Sequence, residues 1–209
     1  LQTGGKSGGD KAQRKRSTVY GENNRGRCSG YFLEKIGTDR KGCPEGTDKV
    51  MRLCSIASGS SGNCIYVGSD TTHLLMDVGI SGRRTEEGLA QLDLSMRDMD
   101  GIFITHEHAD HINGLGVLAR KYGVPIYATK GTIEAIQGMK SVGQIDESLF
   151  HRIEPDEKYV IKDLTVCPMR ISHDAADPVA YRIASEGKKI GIATDLGCYN
   201  DYTVECLKN

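Results

Sequence analysis

Three histidines and one aspartate lie within six residues of the chain, in the string THEHADH at residues 105–111. Imidazole and carboxylate groups are the ligands that suit Zn²⁺ and similar divalent ions. Alternate residues of an extended segment share a face, so His106 and His108 point to one side. Asp110 and His111 follow where the chain turns toward a helix. Burying so many polar groups directly after an apolar strand costs free energy unless a cation is bound. Four candidate ligands this close together favour two neighbouring ions.

The elements that must position this cluster are indicated by the spacing of apolar residues. The strand that leads into the cluster is short and apolar, as expected for a buried strand. Paired strands come first, then mixed β and α segments, with a hairpin at Glu186-Gly187. This order predicts an α/β (α+β) protein with mixed sheets and helices outside them. Predicted strands cover 52–57, 64–68, 73–78, 101–105, 125–128, 149–153, 159–161, 164–171, 179–185 and 189–194, and predicted helices cover 85–94, 112–122 and 132–139.

Residues 1–50 differ from the rest of the chain. They hold ten glycines, no sustained periodicity, and 11 Lys and Arg against 6 Asp and Glu. We expect a disordered or non-native N-terminal extension with Met51 as the natural start, and a basic nucleic-acid-binding arm is the alternative. Residues 51–209 are long enough for one domain, and they carry 16 basic against 22 acidic residues. This balance excludes a strongly basic nucleic-acid-binding face from that part.

The expected location is the cytoplasm. The chain has seven cysteines, an odd number without a CxxC pair, which is typical of reduced thiols. Its first residues contain no apolar signal segment, and no run approaches the roughly 18 apolar residues that would span a membrane. We therefore expect no membrane partner, and the sequence leaves the oligomeric state open.

Four strings in the same order resemble the metallo-β-lactamase superfamily: LLMDVG with Asp77, THEHADH, ISHD at 171–174 and IATDLG at 192–197. The resemblance implies an αββα sandwich from about Met51 onward. Asp77 is then expected to orient a ligand histidine without binding the metal ion itself. From the residues alone, His173 could instead be an ordinary histidine at a strand end, and Asp195 could cap a helix. The ligand set that the resemblance implies is His106, His108 and His173 for one metal ion, Asp110 and His111 for a second, and Asp195 bridging both.

One departure from the family pattern concerns the second ion. Family members supply a further histidine to it after the bridging aspartate, whereas no histidine follows Asp195 in this sequence. We expect that the C-terminal part of the domain is missing and that the sandwich is incomplete there. A weakened second site is the alternative.

Within the superfamily, MRLCSIASGSSGNCIYVGSD and ISHDAADPVAYRI resemble the YycJ/WalJ (VicX) group, cytoplasmic bacterial proteins regarded as exonucleases. The resemblance implies a metal-dependent phosphodiesterase or DNA exonuclease. Its cofactors would be two divalent ions, Zn²⁺ first and Mn²⁺ or Fe²⁺ as alternatives. A hydroxide bridging the ions would attack phosphorus, and catalytic Asp110 would orient it or take up its proton. Candidate substrate-binding residues in the SGSSGN loop are Ser58, Gly59, Ser60, Ser61 and Asn63, because small residues let the backbone approach a phosphate, although the loop also fits a plain tight turn.

Two other functions remain open. The acidic balance of residues 51–209 favours a glyoxalase II-like thioesterase or lactonase, and the absent last histidine favours an inactive metal-binding fragment. Glu107, between two of the histidines, is expected to be solvated or salt-bridged.

Overall fold

The computed structural model describes residues 50–208, so the expectations about residues 1–49 lie outside the described part. No helix among the described residues is long and apolar enough to cross a membrane. Short 3₁₀ turns cover Met96–Asp98 and Glu147–Leu149. In chain order the strands and helices of this part are β1 (Arg52–Ala57), β2 (Cys64–Gly68), β3 (His73–Met76), α1 (Gly82–Ala90), β4 (Gly101–Phe103), α2 (Ala109–Ile112), α3 (Leu115–Tyr122), β5 (Ile126–Ala128), α4 (Lys130–Gly138), β6 (Phe150–Arg152), β7 (Tyr159–Ile161), β8 (Leu164–Arg170), β9 (Val179–Ser185), β10 (Lys188–Ile192) and α5 (Asp201–Leu207).

The first sheet has six strands in the order β1-β2-β3-β4-β5-β6. Strands β1 to β3 are antiparallel neighbours, whereas β3 to β6 run parallel to one another. Parallel neighbours need a crossover, and α1, α3 and α4 supply helical segments between them. Met76 pairs with Phe103 at the ends of β3 and β4. The residues that follow these two strands therefore emerge at the same edge of the sheet.

The second sheet is antiparallel, in the order β10-β9-β8-β7. The predicted hairpin is present, with Glu186 at φ 44° and Gly187 at φ 79° between β9 and β10. Because β9 is antiparallel to both of its neighbours, β8 and β10 run in the same direction. Their carboxyl ends, at Arg170 and Ile192, therefore lie at one edge, and the segments that contain His173 and Asp195 follow them.

Side-chain alternation divides the core into two layers. Leu75 and Ile102 pack with the apolar faces of the helices, whereas Leu74 and Phe103 face the second sheet. Phe103 stacks on the Tyr127 ring at 4.5 Å between centroids, and full burial of such a side chain contributes about 3 kcal/mol. On the outer side of the second sheet, α5 packs against β8. The order helix, sheet, sheet, helix confirms the expected αββα sandwich.

The helices differ from their predicted bounds for local reasons. The first begins at Gly82, three residues before the predicted start, because the Ser81 side chain accepts a hydrogen bond from the Arg84 amide. The predicted helix 112–122 is two helices, α2 and α3. At the break, the Gly114 amide donates to the Val78 carbonyl at 2.8 Å, a long-range bond that the local sequence does not reveal.

Candidate metal centre

The first group of converging side chains consists of His106, His108 and His173. One ring nitrogen from each lies within 4.8 Å of the others, so the group could hold a metal ion. His173 Nε2 lies 3.2 Å from His108 Nδ1, although 65 residues separate them in the chain. The Gly197 amide donates to the Ser172 carbonyl at 2.8 Å, which holds the segment after β8 against the segment after β10. The sheet edge thus joins imidazoles from two distant parts of the chain.

His106 has a ring nitrogen suited to a cation. Its side chain is fully buried, and Nε2 has no hydrogen-bond partner among the described residues. The Thr105 hydroxyl already donates to Asp77 Oδ2, so it accepts from His106 Nδ1 at 3.0 Å, which leaves a lone pair on Nε2. Burial first, and then the neighbouring His111, His108 and His173, lower the pKa of His106 to about 3. A neutral imidazole with a buried, unsatisfied lone pair fits a metal ligand.

The second group consists of His106, His111 and Asp195, whose ligand atoms also lie within 4.8 Å of one another. Asp195 Oδ2 is 2.9 Å from His111 Nε2. Asp110 lies at the edge of this group, with Oδ2 3.6 Å from the same nitrogen and its side chain 34% exposed. Asp195 has a left-handed backbone, at φ 53°, which aspartate tolerates better than most residues. A strained conformation at a convergence of polar groups is typical of a functional site.

Asp77 supports His111 from the buried side. Its carboxylate accepts hydrogen bonds from His111 Nδ1 at 2.7 Å and from the Thr105 amide and hydroxyl, each at 2.8 Å. Burial raises the pKa of Asp77, while these three donors favour its anion. Burial alone would lower the pKa of His111, but the Asp77 hydrogen bond and the surrounding carboxylates raise it above its ordinary value. The environment of His111 therefore favours a positive charge, which either a proton or a metal ion at Nε2 supplies.

Within the SGSSGN loop, one side chain points to this centre and the serines do not contact it. Asn63 is buried, and its Nδ2 lies 3.1 Å from His111 Nε2 and 3.5 Å from Asp110 Oδ2. The Gly59 amide donates to Asn63 Oδ1 at 3.0 Å, which fixes the side-chain amide with its nitrogen toward the centre. The exposed serines of the loop are Ser58, Ser60 and Ser61.

Comparison with known protein families shows the family of this chain. A family model described as Beta-lactamase superfamily domain matches residues 72–209. The chain belongs to this superfamily. Solved metallo-β-lactamases share its fold: the Cronobacter sakazakii enzyme with a HARLDQ motif, as mutant S60, matches with a TM-score of 0.58 at 15% identity over 69% of this chain and 60% of that one. MEM-A1, a subclass B3 metallo-β-lactamase from a soil metagenome library, matches with a TM-score of 0.54 at 21% identity over 66% and 58%.

Curated relatives of this superfamily member include two proteins named as exodeoxyribonucleases. Exodeoxyribonuclease YycJ of Bacillus anthracis is 41% identical over 159 residues, which cover 72% of this chain and 56% of the relative. Exodeoxyribonuclease WalJ of Streptococcus pneumoniae (strain D39) is 39% identical over 154 residues, covering 74% and 57%. The chain thus spans little more than half the length of these curated relatives.

Sequence reasoning missed two residues of the centre. Thr105 uses its amide and hydroxyl to connect Asp77 with the imidazoles of His106 and His111. The expectation that Glu107 is solvated or salt-bridged was wrong: its side chain is buried, and Oε1 accepts a hydrogen bond from the Ala176 amide at 2.8 Å. The signal for Glu107 was available, because a residue between two inward-facing histidines, directly after a buried strand, faces the interior on its other side.

Proposed function

We propose that this superfamily member is the catalytic part of a metal-dependent phosphodiesterase, and specifically of a DNA exonuclease, that works with two divalent ions. The observation that carries the proposal is the convergence of two ligand groups that share His106, whose Nε2 is buried without a hydrogen-bond partner among the described residues. Two relatives named as exodeoxyribonucleases support the choice of substrate. In this proposal His106, His108 and His173 hold one ion, Asp110 and His111 hold the second, and Asp195 lies between them.

The ligand chemistry favours Zn²⁺, because imidazole-rich sets with carboxylates suit borderline ions, and Mn²⁺ or Fe²⁺ are the alternatives. Bound divalent ions would lower the pKa of water toward about 7 and neutralise charge on phosphoryl oxygens. The protein's part is to hold the ligands in place. Asp77 fixes the His111 ring through Nδ1, which leaves Nε2 as the nitrogen that would bind the ion.

Asp110 is proposed as the catalytic residue. Its side chain is one-third exposed, so it is reachable from the solvent side of the centre, whereas His111 beside it is fully buried. The Asn63 side-chain amide donates toward the Asp110 carboxylate, and the Asn63 backbone amide donates to the Asp110 carbonyl at 2.7 Å. A carboxylate held in this way can orient a water molecule or accept its proton. The exposed Ser58, Ser60 and Ser61 of the same loop remain candidates for contact with substrate phosphates.

The seven cysteines without paired spacing support a cytoplasmic protein. The acidic excess of residues 51–209 keeps a thioesterase or lactonase as the second candidate, since such substrates need no basic face.

A parallel assay separates these functions. The full chain, loaded with Zn²⁺ or Mn²⁺, is incubated with bis-p-nitrophenyl phosphate, 5′-labelled duplex DNA and S-lactoylglutathione. We expect hydrolysis of both phosphodiesters, and a loss of about 100-fold or more in Asp110→Asn. Asp93→Asn is the control, because Asp93 is exposed and outside the centre. Thioester turnover without phosphodiester turnover would replace the proposal by the second candidate, and two bound ions without any turnover would favour an inactive metal-binding module.

A further inference from the structure

Glu107 is an acidic side chain buried next to the metal centre without being one of its proposed ligands. Its side chain is only 8% exposed. Oε1 accepts one hydrogen bond, from the Ala176 amide, and Oε2 is buried without a hydrogen-bond partner in the range 50–208. Burying a carboxylate with so little compensation costs free energy. An exposed glutamate would avoid that cost, so the position of Glu107 calls for a role.

The hydrogen bond of Glu107 joins the two segments that supply the first ligand group. Glu107 lies between His106 and His108, and Ala176 lies three residues after His173. The chain after His173 is also held further along, where the Asp177 carbonyl accepts from the Thr129 hydroxyl at 2.7 Å and the Val179 amide donates to the Thr105 carbonyl at 3.0 Å. The Glu107 hydrogen bond therefore directly links the segment that carries His106 and His108 to the segment that carries His173.

We propose that Glu107 is a positioning residue of the metal centre, which holds His173 against His106 and His108 through the Ala176 amide. The inference rests on the proposed two-metal site. The positioning of His173 then depends on the length of the Glu107 side chain, which brings Oε1 to the Ala176 amide, and not on its negative charge. Glutamine keeps that reach and loses the charge. Aspartate keeps the charge and withdraws the oxygen by one carbon–carbon bond, about 1.5 Å.

The test titrates the metal-free full chain with Co²⁺ and follows the visible absorption of the bound ion. Wild type is expected to bind two ions. Glu107→Gln should bind both within about threefold of wild-type affinity, since it keeps the acceptor for the Ala176 amide. Glu107→Asp should lose about 10- to 100-fold in affinity for one ion, as expected for the loss of an orienting contact, and keep the other. Glu134→Asp is the matched control, because the Glu134 side chain is 64% exposed and forms an ion pair with Lys130 far from the proposed ligands in the sequence.

The outcomes separate the inference from the proposed function. Glu107→Asp binding both ions like wild type, or Glu107→Gln losing as much affinity as Glu107→Asp, would overturn the positioning role while leaving the two-metal site intact. Equal loss of affinity for both ions in Glu107→Asp would also contradict the positioning role. Such a loss would indicate a general structural defect, whereas the positioning role predicts weaker binding of one ion only. Wild type that binds no Co²⁺ would overturn the proposed function and this inference together.

Discussion

Replacing Asp77 by asparagine removes the anionic support behind His111 while changing little else. Asparagine has nearly the same volume, and it tolerates the left-handed backbone that Asp77 adopts at φ 58°. The side-chain amide, however, cannot accept from every present donor. If its nitrogen faces His111 Nδ1, the imidazole must move its proton to Nε2, which is the nitrogen proposed to bind metal. If its nitrogen faces the Thr105 amide, two donors oppose each other in a buried site.

The expected magnitude follows from these contacts. Loss of an orienting partner typically reduces metal affinity by about 10- to 100-fold, which is about 1.4–2.7 kcal/mol. The metal-free protein also loses a hydrogen bond to a charged acceptor, worth about 1.5–3 kcal/mol. Burial, which raises the pKa of Asp77, disfavours the anion, so a neutral amide recovers part of that cost. We therefore expect metal-free stability to fall by less than about 2 kcal/mol.

The assay combines isothermal titration with Zn²⁺ and thermal unfolding of the metal-free chain. Asp93→Asn is the matched control, since Asp93 is exposed and also has a positive φ, of 57°. It should leave Zn²⁺ affinity unchanged. The reasoning is refuted if Asp77→Asn binds Zn²⁺ within twofold of wild type, or if its affinity falls only in proportion to a collapse of the fold.

Three further predictions concern acid stability, packing and the ions. Burial raises the pKa of Asp163, but hydroxyl donors of the 69–72 turn outweigh this effect and lower the pKa to about 2. The ionised carboxylate therefore stabilises the fold above the ordinary pKa of 3.8, and this stabilisation is lost as pH falls through about 2. Asp163→Asn should therefore remove about 1 kcal/mol of that acid dependence, after allowance for solvent screening, in unfolding measured from pH 5 to 2. A Cβ on Gly79 would lie 1.6 Å from the Asp110 carbonyl oxygen, so Gly79→Ala should lower the free energy of unfolding by at least about 2 kcal/mol in thermal unfolding. The control is Gly138→Ala, whose Cβ meets nothing within 4 Å and should not destabilise the protein. Equal effects of the two substitutions would contradict the packing. Dialysis against a chelator should abolish phosphodiester hydrolysis and added Zn²⁺ or Mn²⁺ should restore it, so activity that survives metal removal would count against the proposal.

The strands were predictable because their signal is local. The bounds of 52–57, 64–68, 159–161 and 179–185 agree with the structure, since alternation or a short apolar run between turn residues marks both ends. The convergence of His173 with the 105–111 segment was implied by the family resemblance. In the structure it follows from strand direction, because the edges where β4, β8 and β10 end lie together.

Other features depend on contacts that a linear pattern does not contain. The break between α2 and α3 is stabilised by a bond to Val78, 36 residues earlier in the chain. Asn63 was predicted as a substrate-binding residue of the SGSSGN loop, and substrate contact stays a prediction. The sequence did not reveal that its side chain is buried beside His111, with Oδ1 accepting from the Gly59 amide. Thr105 gave no signal, since a threonine at a strand end is common and its partners come from elsewhere in the sequence.

Anomalous diffraction from crystals of the full chain grown with Zn²⁺ tests the central claim most directly. Data collected on both sides of the zinc absorption edge locate each ion without reference to activity. The account predicts two peaks, one bounded by the imidazoles of His106, His108 and His173, and the other next to His111 Nε2 and the Asp195 carboxylate. Zinc bound only at surface sites, with His106 Nε2 facing no ion, would contradict it.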